Sequence, residues 1–139
     1  MRSNVGQWMT WGCLTGAPSE PLGHAMARLE ERGIHHLVVV SQDELRGVLT
    51  AEGALLSLWR NPAGREALQS RTVAEVMTSA PLPTASPETP LREAAQRMLS
   101  YGATALPVED EQGELVGIIT MRDLLSALVA GAAARHPEL

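Results

Sequence analysis

The sequence has no phenylalanine and no lysine, and only four aromatic residues in 139: Trp8, Trp11, Trp59 and Tyr101. A core must therefore be aliphatic, built from Leu, Val, Ala, Ile and Met. The apolar fraction of 45% is enough for one and argues against a disordered chain. All 11 basic residues are arginine, and 16 acids outnumber them to a net charge of −5. That balance argues against non-specific binding of DNA or RNA, whose affinity comes from neutralising phosphates. It leaves room for one nucleotide in a local pocket. The single cysteine, Cys13, excludes an internal disulfide and a cysteine metal cluster. It reads as a small buried or half-buried apolar residue rather than a nucleophile. No apolar run reaches the roughly 18 residues that span a bilayer. Met1 to Gln7 lack the charged-then-apolar build of a signal peptide, so a cytoplasmic protein without membrane contact is expected. Nor does the chain show a nucleophile–base pair, a Gly-rich phosphate cradle or a metal constellation. No enzyme, no catalytic residue, no metal site and no cofactor are expected.

What is present is an internal repeat, offset by 69 to 70 residues. Trp8-Met9-Thr10 matches Val76-Met77-Thr78, and Pro21-Leu22 matches Pro90-Leu91. Ala25 falls on Ala94, Leu29 on Met98, Gly33 on Gly102 and Leu37 on Leu106. Gly47-Val48-Leu49-Thr50 matches Gly117-Ile118-Ile119-Thr120. Within each copy, Asn4 with Gln7 and Thr72 with Glu75 read as capping boxes opening a short helical turn. Loops at Gly12 to Pro18 and Ser79 to Pro87 follow. A helix comes next, with Pro21 or Pro90 in its first turn. Its apolar positions recur at helical spacing: Leu22, Ala25, Met26 and Leu29, then Leu91, Ala94, Ala95, Met98 and Leu99. Gly33 and Gly102 stand where a C-cap glycine belongs. Strands at 37–40 and 45–50, and at 106–109 and 115–120, predict hairpins, closed by helices at 51–59 and 121–133. The domain organisation is a first repeat at 1–59, a linker at 60–71 with a helical turn at 63–68, a second repeat at 72–131 and a fraying tail at 132–139. About 60 residues bury little alone, so the halves are expected to pack together with pseudo-two-fold symmetry.

The stretch Gly117-Ile118-Ile119-Thr120-Met121-Arg122-Asp123 runs a strand into a helix. A hydroxyl and a carboxylate three residues apart cap a first turn reciprocally. The same groups, beside free N–H donors and the positive end of a helix dipole, could also hold a ribose and a phosphate. Spacing alone leaves both readings open.

These residues resemble the CBS domain, named for cystathionine β-synthase, in the tandem arrangement called a Bateman module. The second repeat carries the fuller pattern: Val73-Ala74-Glu75-Val76-Met77-Thr78, Pro90-Leu91-Arg92-Glu93-Ala94, Leu106-Pro107-Val108, and Gly117 through Leu125. The resemblance covers roughly 5–59 and 72–130. It implies an α/β (α+β) fold of two β-α-β-β-α units. It also implies a regulatory module binding AMP, ADP, ATP or S-adenosylmethionine in clefts between the repeats, a homodimer, and an unidentified regulated protein as partner.

By that resemblance Asp123 takes the ribose hydroxyls, Thr120 works at the ribose or phosphate, and Ile118 lies beside the sugar. Arg122 and His35 are placed for a phosphate, and the base falls to the stretch around Thr15 and to Ile34. The first repeat departs from the pattern. Thr50 is kept, but Gly53 stands where the acid belongs, and Val38 replaces the proline seen at 107. One nucleotide per chain is therefore expected, with the second cleft, near Pro83-Thr84 and Ala103-Thr104, weak or empty. The alternative is a ligand-free dimerisation and interaction scaffold, with Met98, Leu125 and Leu128 as core or dimer seam.

Overall fold

A computed structural model of the protein describes residues 3–61 and 65–135. After a 3-10 turn at Val5–Gln7 the elements are β1 (Thr10–Trp11), β2 (Thr15–Gly16), α1 (Leu22–Arg32), β3 (His36–Ser41), β4 (Glu44–Thr50) and α2 (Ala51–Arg60). Then come α3 (Arg65–Ser70), α4 (Val73–Val76), β5 (Thr78–Ser79), α5 (Leu91–Tyr101), β6 (Ala105–Glu109), β7 (Leu115–Thr120) and α6 (Met121–Arg135). This is the mixed α+β pattern that the repeat implies. Part of the predicted helical turn in the linker, at 63–64, lies outside the described residues. So does 136–139 of the tail, whereas 132–135 continue α6.

The chain forms two compact units, and they do not follow the sequence repeats. One is contiguous, Leu14–Leu82; the other joins Met1–Cys13 to Pro83–Leu139. The contiguous unit holds a four-stranded sheet in the order β2-β3-β4-β5, and the split unit a sheet in the order β1-β7-β6. Each is a long antiparallel hairpin with an antiparallel edge strand from the other repeat: β5 pairs with β4, and β1 with β7. A parallel pairing lies on the other side: Thr15 on Val38 in one unit, an Ala85–Val108 bridge in the other.

Glycine permits the close edges. A Cβ on Gly117 would collide with the carbonyl oxygen of Thr10, and one on Gly47 would stand 2.5 Å from that of Thr78. The exchanged segments also supply acceptors to helix starts. Leu91 N–H donates to Ser3 O at 3.2 Å and Leu22 N–H to Arg71 O at 2.9 Å. Pro21 and Pro90 are accordingly the caps themselves, with extended ψ of 137° and 143°, one position before the first helical turn where they were expected.

Gly33 and Gly102 close α1 and α5 at φ 64°, a left-handed conformation that costs glycine nothing. The β3–β4 turn instead places Gln42 and Asp43 at φ 53° and 61°, the twist a two-residue hairpin needs. In the contiguous unit Leu22, Ala25 and Leu29 of α1 pack on Leu37, Val39 and Leu49. In the split unit Leu91, Ala94 and Met98 of α5 pack on Leu106, Val108 and Ile119. Leu99, expected on that apolar stripe, is 82% exposed. It sits about 100° around the helix from Met98, off the stripe that 91, 94 and 98 define.

Candidate functional site

At the junction of β7 and α6 the polar groups of Thr120 and Asp123 interlock. Asp123 Oδ2 accepts the backbone N–H of Thr120 at 2.8 Å and its hydroxyl at 3.0 Å. The Asp123 N–H in turn donates to Thr120 Oγ1 at 3.3 Å. Both residues are half-buried. One carboxylate oxygen therefore carries the cap, and Oδ1 has no partner among the described residues. The cap and an acceptor for an outside hydroxyl coexist in one side chain.

The matching junction of β4 and α2 keeps half of this. Gly53 N–H donates to Thr50 Oγ1 at 2.9 Å, but among the described residues no carboxylate reaches back. Gly53 lines a cavity of about 510 Å³ with Ser57, Arg60, Arg71 and Glu75. Arg71 donates to Ser57 Oγ there at 2.6 Å and lies 3.9 Å from Glu75.

Of the other sequence-predicted residues, Ile118 is 7% exposed yet outside the core cluster that takes Ile119. It faces the opposite side of β7, as strand alternation requires. Arg122, next to Asp123, is exposed and makes no hydrogen bond or ion pair among the described residues. In the contiguous unit, half-buried Ile34 and exposed His35 line a cavity of about 630 Å³ with Met26, Glu30 and Leu55. The His35 carbonyl accepts the first N–H of α2, from Ala51, at 2.8 Å, just as the Thr104 carbonyl accepts that of Met121 at 3.0 Å. Thr15 sits in β2, paired with Val38.

Three residues outside the stretches expected to be loops, Arg28, Glu20 and Arg97, fasten those stretches and were passed over in the sequence. Arg28 donates to Thr15 O at 2.8 Å and to both oxygens of Glu20 at 2.9 and 3.0 Å. Arg97 donates to Thr84 O at 2.8 Å. The signal was available: both arginine–threonine pairs coincide under the repeat offset. Burial pushes the Cys13 thiol up, against a smaller lowering by a backbone hydrogen bond, so it stays protonated at neutral pH. Among the described residues no group of three or more His, Cys, Asp or Glu is placed to hold a metal ion. No described helix is long and apolar enough to cross a membrane.

Two hairpin-and-helix units, each with a threonine at its strand-to-helix junction, define a tandem α+β repeat protein. A model of the CBS domain matches residues 5–59 and 73–130, and the chain belongs to that family. An uncharacterised protein of Methanopyrus kandleri is 31% identical over 130 residues, covering 90% of this chain and 63% of that protein. Another, of Methanocaldococcus jannaschii, is 30% identical over 124 residues, and this chain spans 88% of itself but 27% of that relative. Among solved structures, the CBS domain pair of protein MJ0100 in complex with 5′-methylthioadenosine and S-adenosyl-L-methionine superposes with a TM-score of 0.80. It is 26% identical, with 95% of this chain and 99% of that one covered. The CBS-pair protein CBSX2 of Arabidopsis thaliana, in its complex with AMP, gives a TM-score of 0.75 at 27% identity, covering 94% and 98%.

Proposed function

We propose that this chain is a non-catalytic regulatory module that binds one adenosyl nucleotide (AMP, ADP, ATP or S-adenosylmethionine) and acts on another protein. The ribose rests on Asp123, with Thr120 and Ile118 beside it and Arg122 at the phosphate or its equivalent. Within the contiguous unit, this reading assigns Thr15, Ile34 and His35 to the ligand. The observation that carries this reading is the Thr120–Asp123 pair, whose geometry leaves one carboxylate oxygen open. The adenosyl ligands of the two solved relatives support the ligand class.

The module acts as a homodimer. Its helices support this with large apolar side chains in solvent, including Trp59 at 87%, Leu125 at 58% and Leu128 at 61% exposure. Leu125 and Leu128, three residues apart on α6, share one face of that helix, and exposed apolar faces of this kind mark interaction surfaces.

The test is a thermal melt with millimolar AMP, ATP and S-adenosylmethionine in turn. A ligand at about 100 times its dissociation constant adds about 2.7 kcal/mol to stability. A rise in melting temperature with at least one of them is expected. No rise with any would leave the ligand-free scaffold as the better reading.

A further inference from the structure

Arg28 and Arg97 stand 69 residues apart, as do Thr15 and Thr84. Each arginine donates to the carbonyl of its threonine at 2.8 Å. Each threonine is the second residue after the chain passes from one compact unit into the other, at 13/14 and again at 82/83. The short parallel pairing lies there, with Thr15-Gly16 on Val38-Val39 and Ala85, the residue after Thr84, on Val108. Two residues of pairing hold a strand weakly. A guanidinium fixed on the carbonyl fastens the chain where it enters its new unit.

The two clamps are locked differently. Arg28 is held by the Glu20 carboxylate, whose side chain is only 10% exposed and which also lies 2.9 Å from His24 Nδ1. A Cβ on Gly16 would come within 2.6 Å of Glu20 Oε1, so this carboxylate lies directly against the β2 backbone. Arg97 instead pairs with Glu93 on its own helix, 2.7 Å away and 51% exposed. Charge-assisted bonds of a shielded carboxylate hold geometry more firmly than those of a solvated pair.

We infer that Arg28, locked by Glu20, is a positioning residue for nucleotide binding: it holds the Thr15-Gly16 backbone in the form that receives the base. This rests on the adenosyl reading above. A loose stretch would have to be ordered at the expense of affinity, and a preformed one does not. Arg97 does the same for Thr84, in the repeat-related stretch that the adenosyl reading does not use. That clamp therefore serves stability and not affinity.

The experiment compares Arg28→Gln, Arg28→Lys and Arg97→Gln in the full chain. Titration calorimetry with AMP and with S-adenosylmethionine is combined with amide hydrogen exchange. Arg28→Gln is expected to weaken binding about tenfold, the scale of losing one charge-assisted ordering contact. Amides of residues 14–17, and of Val38, which donates to Leu14 O, should exchange faster. Lysine reaches one partner at a time, so Arg28→Lys should recover part of the affinity, and it serves in place of the glutamine variant if that does not fold. Arg97→Gln should lower the melting temperature and speed exchange at 84–86 while changing affinity less than about twofold. Equal losses of affinity in the Arg28 and Arg97 variants, or faster exchange at 14–17 with unchanged affinity, would overturn the inference. If the wild-type chain binds no adenosyl compound, the functional reading fails and the affinity role of Arg28 falls with it. The clamp is then judged on exchange alone, and unchanged protection at 14–17 in Arg28→Gln overturns that too.

Discussion

Asp123 accepts the N–H and the hydroxyl of Thr120 through the same carboxylate oxygen, at 2.8 and 3.0 Å. Oδ2 is therefore spent on the helix start and Oδ1 is left for another donor. The cap therefore occupies one carboxylate oxygen only, and the proposed ribose contact would not compete with it for an atom.

Asp123→Ala should show both roles. Loss of the cap is expected to cost about 1 kcal/mol in chemical denaturation, with the melting-temperature rise caused by an adenosyl ligand abolished. A rise of wild-type size in this variant would refute the ribose assignment.

Gly53→Asp asks whether one missing carboxylate silences the first-repeat junction. A Cβ there would stand 2.8 Å from Thr50 Oγ1 and meet nothing else, so the threonine hydroxyl must give way. Removing a helical glycine and adding an acid in the first turn should stabilise by about 0.5–1 kcal/mol. Calorimetric stoichiometry should move from one nucleotide per chain to two. If it stays at one while the variant is stabilised, something other than Gly53 closes that site.

Gly47→Ala and Gly117→Ala should each destabilise by about 1–3 kcal/mol, the range for forcing atoms into packed space. Each methyl would run into the carbonyl of an edge strand, Thr78 or Thr10. Urea midpoints read this directly, and wild-type midpoints would mean that those edges are not held as described.

Leu128→Glu and Met98→Ala should separate surface from core. Leu128 is 61% exposed and Met98 only 3%. The first is expected to convert a dimer to monomers in sedimentation with little change in unfolding of the monomer. The second should cost about 2–5 kcal/mol and leave assembly intact. A wild-type oligomer unaffected by Leu128→Glu would remove α6 from the seam.

Local rules made much of this chain legible. Gly33 and Gly102 end their helices because a left-handed residue is needed there, and that need is written in one residue. The strands of each hairpin are long enough for their apolar runs to be read. What escaped was non-local. Thr10-Trp11 and Thr78-Ser79 are too short to carry any alternation, and Thr10 finds its partner at Ile118, more than a hundred residues away. No window of the sequence contains both. The Thr120–Asp123 junction was readable because its partners are three residues apart. Arg28 shows only when the two repeats are overlaid, since its bond spans 13 residues and polar residues at that separation leave no periodic trace. Leu99 shows the opposite failure: an apolar residue beside a stripe is not part of it.

The exchanged edge strands also set an order of assembly. The unit Leu14–Leu82 is one unbroken segment, so a ribosome delivers all of it before the second hairpin exists. The other unit needs its first residues and its last strand together, and β1 has no partner until 115–120 has been made. During synthesis Val5 and Met9, both buried in the finished protein, must wait in the open for about a hundred residues. A chain whose residues up to Leu82 have left the ribosome, but whose second hairpin has not, would hold one finished unit and one unclaimed apolar segment, a natural handle for a holding chaperone.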